Sequence, residues 1–582
     1  MKSMLKALAV WICLCASVAC AAPFRPSEPI IPLSQIRPGM KGYGKTVFHG
    51  REIKTFPVEV LGIVKKKERP SSLILIRSWG PDVKAAGGLA SGMSGSPIYF
   101  DGKLAGAFSF GWDFGDPFMG LVTPIEQMAR LFEYRDEIPP FPAPAQIAAP
   151  KVRTELDSKF DELYTRYVGA SSERKNVIIA DGVSRRAMKK LESRLGGRVL
   201  TGGSDDNHVL PGPRQRPAPG ASVSALLAWG DVALNVCGTL TAVDSSGRFL
   251  AFGHSFKNWG AVAYPIAYNT IHGIVGSLES PFKLSSAANI IGTVTQDRPE
   301  GIAGYLGRYA PAVSVSVGVE DLDSGKKTLK RFQMLSDQYA VLLLLPELVS
   351  GLADTVMGRV SGGTVRYTVS VDGRGVPRNW AVGDVVTAKE DALGEAMLAI
   401  SPLLEKVIGN SYQDLGAVGI DFHFAVSAKH KKLLIEGLKL DSQYAASGGE
   451  ITAEVTLRPW RQKPETRRFK LKVPPSLSGA CAVVVRAGSP SDQEDSLQQT
   501  RSRVSSLAQM LSELKSAERA CEVVIELVPQ TPDESAASAP EPGADARRRK
   551  LKEGSMRVFR SEYVVDGSIQ TPVLVVSQEP AL

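Results

Sequence analysis

Ser94 sits in the run Gly92-Met93-Ser94-Gly95-Ser96-Pro97, a hydroxyl with glycine on both sides. Glycine tolerates positive φ and leaves neighbouring backbone N–H groups uncovered, so a carbonyl can approach such a hydroxyl closely. Uncovered N–H groups are the material of an oxyanion hole. Gly92, Met93 and Ser94 are the candidate donors, with Gly92 and Ser94 the preferred pair. A serine hydroxyl is a poor nucleophile until a base takes its proton, so Ser94 needs a histidine. Of six histidines, His254 fits best, because it follows the apolar run Phe249-Leu250-Ala251-Phe252-Gly253 and can project from a strand end into a cleft. His272 is the weaker rival. His49 reads as a hairpin turn, His208 as linker, and His423 and His430 fall in a later β region. The chemistry these residues suit is acyl transfer through a nucleophile–base pair.

The elements that must hold this pair are strands. Directly after Pro97 come Ile98-Tyr99-Phe100, the turn Asp101-Gly102, and Lys103 to Phe110, which read as a tight β-hairpin. This arrangement resembles the chymotrypsin-like serine proteases, in which a Gly-Asp-Ser-Gly-Gly-Pro loop precedes a strand, a turn and a strand ending in Ser-Trp-Gly. Here Met93 stands for the Asp, Ser96 for the second Gly, and Ser109-Phe110-Gly111 for the last triplet. The Met-Ser-Gly-Ser-Pro version resembles the SpoIVB (sporulation factor IVB) peptidase family more specifically. The likeness extends to Lys45-Thr46-Val47-Phe48-His49-Gly50, Phe56-Pro57-Val58-Glu59-Val60, Gly87 to Pro97, and Gly238-Thr239-Leu240-Thr241 through Ala251-Phe252-Gly253-His254. It covers roughly residues 30–130 and 210–260 and leaves the middle segment and the C-terminal third outside.

The resemblance implies a mainly β, chymotrypsin-like double β-barrel, with Ser94 as nucleophile, His254 as general base and then acid, and Ser109, Phe110 and Gly111 beside an extended peptide substrate. Two departures accompany it. The family's His block precedes its Ser block, whereas Ser94 here precedes His254, so the halves are expected in permuted order. The family also places an Asp just before a Pro upstream of the glycine pair. In Trp79-Gly80-Pro81-Asp82 the acid follows the Pro, making Asp82 the substitute candidate, with Asp231 and Asp244 as turn residues that are also available.

A chain of 582 residues exceeds a single core. Lys2 and Lys6, an apolar run from Ala7 to Ala19 and small residues after it give the layout of a secretory signal over 1–21. Ser17-Val18-Ala19-Cys20 partly resembles a lipoprotein box, which would add a lipid anchor at Cys20. Simple export to the periplasm or cell envelope is the expectation. No later segment is expected to cross a membrane, since Ala340 to Leu345 meets Pro346. The formal charge of +9 comes with no nucleic-acid motif. No CxxC pair occurs among Cys237, Cys481 and Cys521, and the histidines are scattered, so neither a metal nor another cofactor is expected. Cys481 and Cys521 each open an apolar run and are candidates for either a disulfide or two buried thiols.

Along the chain, a Ser-containing β half is expected over 27–135, closed by a short helix near Ile125 to Tyr134. A linker and charged helical insert follow over 136–219, a His-containing β half over 220–375, and a helical connector over 376–414. A β-sandwich-like module over 415–528 should carry an amphipathic helix at 491–519, and a disordered basic tail with a terminal strand should fill 529–582. The resulting expectation is an exported serine endopeptidase acting on envelope proteins or peptides, with envelope partners reached through the C-terminal module. The competing expectation is a non-catalytic envelope scaffold or peptide-binding protein on the same fold. A lectin-like or polymer-binding C-terminal module is a third.

Overall fold

A computed structural model describes residues 23–113, 115–136, 177–202, 217–277, 281–488, 504–530 and 544–577. The expected signal at 1–21, the lipid anchor at Cys20 and residues 137–176 of the expected linker and helical insert lie outside these residues. The chain divides into two compact units. The first holds Met1–Pro140, Tyr164–Asp181 and Leu195–Pro311, and the second holds the remainder.

In the first unit, β1 (Lys41–Val47), β2 (Ile53–Lys65), β3 (Ser72–Ser78), β4 (Pro97–Phe100), β5 (Lys103–Phe110) and β6 (Met119–Pro124) close a barrel in the order β1-β2-β3-β6-β5-β4. Alternation along these strands sends Phe56, Val58, Val60, Ile74, Ile76, Ile98, Phe100 and Phe108 into one core. The β4–β5 turn forms because Asp101 and Gly102 both take positive φ, 49° and 70°, the conformation a two-residue hairpin of matching twist demands. Short helix α1 (Pro81–Ala85) lies between β3 and β4. Helix α2 (Ile125–Ala129), with a 3-10 turn at Arg130–Glu133, closes the barrel segment.

Residues 177–201, expected within a linker and helical insert, instead include a parallel strand pair, β7 (Val177–Asp181) and β8 (Arg198–Thr201), with helix α3 (Arg185–Leu195) between them in sequence. β7 adds to the sheet of the second barrel. That barrel consists of β9 (Ser222–Gly230), β10 (Ala233–Val243), β11 (Arg248–Ala251), β12 (Gly260–Val275), β13 (Phe282–Arg298) and β14 (Gly301–Leu306). Pairing runs β9-β12-β13-β14-β11-β10 and returns from β10 to β9, so this sheet is also closed. The architecture is mainly β and consistent with a chymotrypsin-like double barrel. The His-containing half ends earlier than expected: its last strand stops at Leu306, and residues from 312 belong to the second unit. Strand-like patterning continues without a break there, and period alone does not say to which sheet a strand belongs.

The second unit begins with β15 (Ala312–Asp321), β16 (Lys327–Leu335), β17 (Gly363–Asp372), β18 (Ala381–Ala388) and β19 (Gly419–Ser427), ordered β18-β17-β19-β15-β16. Helix α4 (Gln338–Met357) and helix α5 (Ala392–Ile408) pack in this unit. The expectation that the apolar run stops at Pro346 fails. Asp337 caps α4 through Ala340 N at 2.8 Å, and the helix runs through the proline. A buried run of leucines cannot be told from a core strand by periodicity. Among the described residues α4 is the one helix long and apolar enough to cross a membrane, and most of it is buried inside the protein.

Two further sheets, of four and five strands, share a core that includes Val455, Leu457, Leu471, Val483, Val485 and Ile525. Three expectations change here. The strand at Gly419–Ser427 joins the preceding sheet rather than this one. Among the described residues the amphipathic helix is Leu507–Ser516, capped by Ser506, with Leu507 and Leu511 buried. The tail expected to be disordered apart from a terminal strand has that strand at Ser568–Val576, and it also contributes a helix at Ala544–Glu553 and strands at Met556–Arg560 and Val564–Asp566. Its basic residues answer buried acids: Arg547 pairs with Glu522 at 2.6 Å and Lys550 with Glu526 at 2.9 Å. Cys481 and Cys521 are free thiols. Cys481 faces Pro529 across a strand pair whose other end brings Ala487 to Val523, so Cys521 lies beyond the far end.

Candidate active site

The Ser94 loop is built by fixing carbonyls, which in turn aims N–H groups. Ser91 O accepts from Lys283 N at 2.9 Å, so the Gly92 N–H of the same planar peptide points the opposite way. Met93 O accepts from Ser96 N at 2.9 Å and from Ser96 Oγ at 2.6 Å, and this turns the Ser94 N–H outward in the same manner. The Met93 N–H donates to Ala90 O at 3.0 Å and is unavailable. Among the described residues no hydrogen bond takes the N–H of Gly92 or Ser94. The expected trio of donors therefore reduces to the preferred pair. Gly92 and Gly95 hold φ of 92° and 94°. A Cβ on Gly95 would lie 1.9 Å from Thr239 O, so only glycine permits this approach of the second barrel.

That approach joins the two barrels at the loop. Thr239 N donates to Ser94 O at 2.7 Å, Thr239 Oγ1 to Gly92 O at 3.1 Å, and Thr241 Oγ1 to Gly95 O at 2.8 Å. All three donors come from β10. Gly238-Thr239-Leu240-Thr241 carries a likeness to the family in sequence, and the task of its two hydroxyls shows only in the fold. Two threonines at alternate positions of an otherwise apolar strand were the available signal.

His254 is carried on a strained turn. Phe252 has φ of 67°, uncommon for a bulky residue, and Gly253 N donates to Ala251 O at 2.8 Å, closing a three-residue turn at the end of β11. The Phe252 ring is buried over Gly238, where a Cβ would stand 2.3 Å from it. Thr123 Oγ1 donates to Gly253 O at 2.6 Å, and a Cβ on Gly253 would lie 3.1 Å from that of Ser109. Ser109 O in turn accepts from Ser94 Oγ at 3.4 Å. The serine loop and the histidine turn thus converge on the same residue of β5.

His254 Nδ1 lies 2.7 Å from Ser255 O. A carbonyl only accepts, so Nδ1 carries the proton of the neutral ring and Nε2 holds the lone pair, the tautomer a general base requires. The ring stands 5.6 Å from that of Phe110 and 6.2 Å from that of Phe252, centroid to centroid.

The acid candidates are placed elsewhere. Asp82 opens α1, is about half exposed, and has Lys54 Nζ at 3.9 Å. Asp244 binds Ser246 N and Arg248 N in its own turn and pairs with Arg248 Nε at 2.7 Å. Burial raises its pKa, but the bonds from Ser246 and Arg248 outweigh this and hold the carboxyl below the ordinary range. Asp231 is exposed at the β9–β10 turn. The rival His272 has Nε2 2.7 Å from Ser286 Oγ.

Of the substrate-side residues, Ser109 is buried and sends its hydroxyl to Leu121 O at 3.0 Å. Phe110 is partly exposed and Gly111 is buried. Beneath Gly92 lies Lys283, fully buried, donating to Thr46 Oγ1 at 2.9 Å. Desolvation lowers its pKa to about 8, partly offset by Cys237. Nothing in the sequence marked it.

Residues 25–129 match the family model of SpoIVB peptidase S55. That segment contains the first barrel and the Ser94 loop. No curated protein and no solved structure gives a significant match to the chain.

Proposed function

We propose that this protein is an exported serine endopeptidase of the SpoIVB type, hydrolysing peptide bonds of cell-envelope proteins with Ser94 as nucleophile and His254 as base. In this reading its two barrels run in the order opposite to the family's, and Asp82 is not the orienting acid. Ser94 Oγ attacks the scissile carbonyl carbon while His254 Nε2 takes the hydroxyl proton. The carbonyl oxygen, now negative, accepts from the amides of Gly92 and Ser94. The C–N bond breaks as His254 returns the proton to the leaving amine, and water releases the acyl group by the same steps in reverse. Ser109, Phe110 and Gly111 border the peptide in extended form.

The observation that carries this reading is the pair of unengaged amides, at Gly92 and Ser94, around a hydroxyl whose loop is tied to the histidine-bearing barrel. The test is labelling by a fluorophosphonate probe of the native chain, Ser94→Ala and His254→Ala, each confirmed as folded. Labelling of the native chain alone is expected. A folded native chain that stays unlabelled would mean a non-catalytic scaffold, a reading favoured by the pairing of Asp82 with Lys54.

A further inference from the structure

The segment that carries His254 runs from the end of β11 to the start of β12, and beneath it lies a carboxylate that no step above uses. Asp297 of β13 is fully buried. Its Oδ1 accepts from Phe256 N at 2.7 Å, its Oδ2 from Lys257 N at 2.8 Å, and Trp259 N–H adds a third backbone bond. The same segment is packed by Phe256 and Trp259 against Tyr264, and Lys257 is held by Leu195 O.

The peptide between Ser255 and Phe256 has both ends occupied. Its carbonyl oxygen lies 2.7 Å from His254 Nδ1, and its N–H donates to Asp297 Oδ1 at 2.7 Å. We infer that Asp297 is the acid partner of His254, acting through this peptide as a positioning residue rather than by direct contact. The inference rests on the peptidase reading above and supplies the group that Asp82 does not.

Physical chemistry gives the relay two effects. A peptide whose N–H is bound to a carboxylate is polarised, so its carbonyl becomes a stronger acceptor for the Nδ1 proton. Because peptide planarity couples the two ends, fixing the N–H on a buried carboxylate also fixes the direction of the carbonyl, and with it the ring. When Nε2 takes the serine proton, the imidazolium is stabilised by a negative charge one peptide away in a buried setting. Lys257 is the charged side chain facing Asp297. Burial raises the Asp297 carboxyl to about 6, opposed by the three amides and Lys257, and amides donating to both of its oxygens favour the ionised form. A directly bonded triad acid does the same work over a shorter path.

The experiment uses the full chain labelled with 15N in histidine. In the native chain the His254 ring is expected as the Nδ1–H tautomer with a downfield Nδ1 proton; a ring protonated at Nε2 overturns the inference. In folded Asp297→Asn that proton moves upfield. The fluorophosphonate rate falls by about 10- to 100-fold, less than the ~10⁴-fold that altering a directly bonded acid costs. An Asp297→Asn protein with native rate and native ring signals overturns the relay while leaving the peptidase reading intact. An unlabelled native chain sinks the peptidase reading, and the ring signals still report on the relay. If Asp297→Asn does not fold, the tautomer of the native chain decides.

Discussion

Thr239 reaches across from the second barrel to hold two carbonyls of the nucleophile loop, its amide on Ser94 O at 2.7 Å and its hydroxyl on Gly92 O at 3.1 Å. The loop therefore has its shape only when both barrels are folded. Sequence-distant halves are coupled at the point where the proposed chemistry occurs, and the coupling consists of backbone and hydroxyl bonds that can be removed one at a time.

Thr239→Val keeps the amide bond and the side-chain shape and removes the hydroxyl. It should lower unfolding stability by about 1 kcal/mol, the usual net worth of such a bond plus a carbonyl left unmatched. If that loss is carried into the reactive geometry, the fluorophosphonate rate falls by about fivefold, the equivalent of ~1 kcal/mol of barrier. Denaturant titration and labelling kinetics on the same sample check both. A variant that loses stability with no change in rate would show that the hydroxyl shapes the fold but not the oxyanion site.

Ser96 offers a sharper test of how the Ser94 amide is aimed. Its hydroxyl, fully buried, donates to Met93 O at 2.6 Å, and Met93 O shares a peptide with that amide. Ser96→Ala leaves only the Ser96 N bond on this carbonyl. The rate should drop by up to about 10²-fold, the lower bound for losing one oxyanion donor outright. Ser94 itself is untouched, so the unreacted hydroxyl remains available to the probe. Stopped labelling time courses distinguish a slow reaction from a fraction of dead protein.

What could be read in advance divides by range of interaction. The Ser94 loop and the Asp101-Gly102 hairpin were legible because glycine spacing and a two-residue turn are local properties of six to ten residues. The place of His254 just beyond a strand end was legible because its block ends the apolar run Phe249 to Gly253. Lys283, Asp297 and the threonines of β10 were not, because each acts on residues far away in the chain: Asp297 reads as one acid in a polar strand until the fold lays it under Phe256 and Lys257. Asp82 is a candidate because it follows Pro81 where the family resemblance places an Asp before a Pro, and the fold gives it Lys54 instead. Helix α4 was missed for a different reason, since leucines buried on most sides have no period to read. The tail beyond 543 was judged by its charge, and the acids that balance that charge, Glu522 and Glu526, stand in a strand some twenty residues earlier.

Gly92→Ala probes the other half of the oxyanion pair. At φ of 92° an L-residue is strained by about 1–2 kcal/mol. The added methyl would also stand 3.1 Å from Cys237 Sγ and from Lys283 Cβ and Cδ, so the loop must shift outward by a few tenths of an ångström. The protein should still fold, with a melting temperature lower by several degrees, and should react with the fluorophosphonate about 10²- to 10³-fold more slowly. An alanine variant that reacts at the native rate would exclude the Gly92 amide as a donor.

Lys283 yields a prediction whose sign depends on pH. The ammonium is fully buried with Thr46 Oγ1 as acceptor, and desolvation lowers its pKa from 10.5 to about 8 in the folded protein. Between these two values the unfolded chain binds more protons than the folded one, so this group makes stability rise with pH from about 8 to 10.5. Below pH 8 both states are charged and the folded state bears the full cost, on the order of 3 kcal/mol. Lys283→Met removes that cost and leaves the Thr46 hydroxyl without its donor, a loss of about 1 kcal/mol. The variant should therefore be more stable than the native chain at pH 7, and the advantage should shrink or reverse by pH 10.5. Buried Lys257, also lowered to about 8, affects both proteins alike and cancels in the difference. Paired denaturant titrations at pH 7 and pH 10 read the difference directly. An advantage independent of pH would mean that burial does not lower the Lys283 pKa in the folded protein.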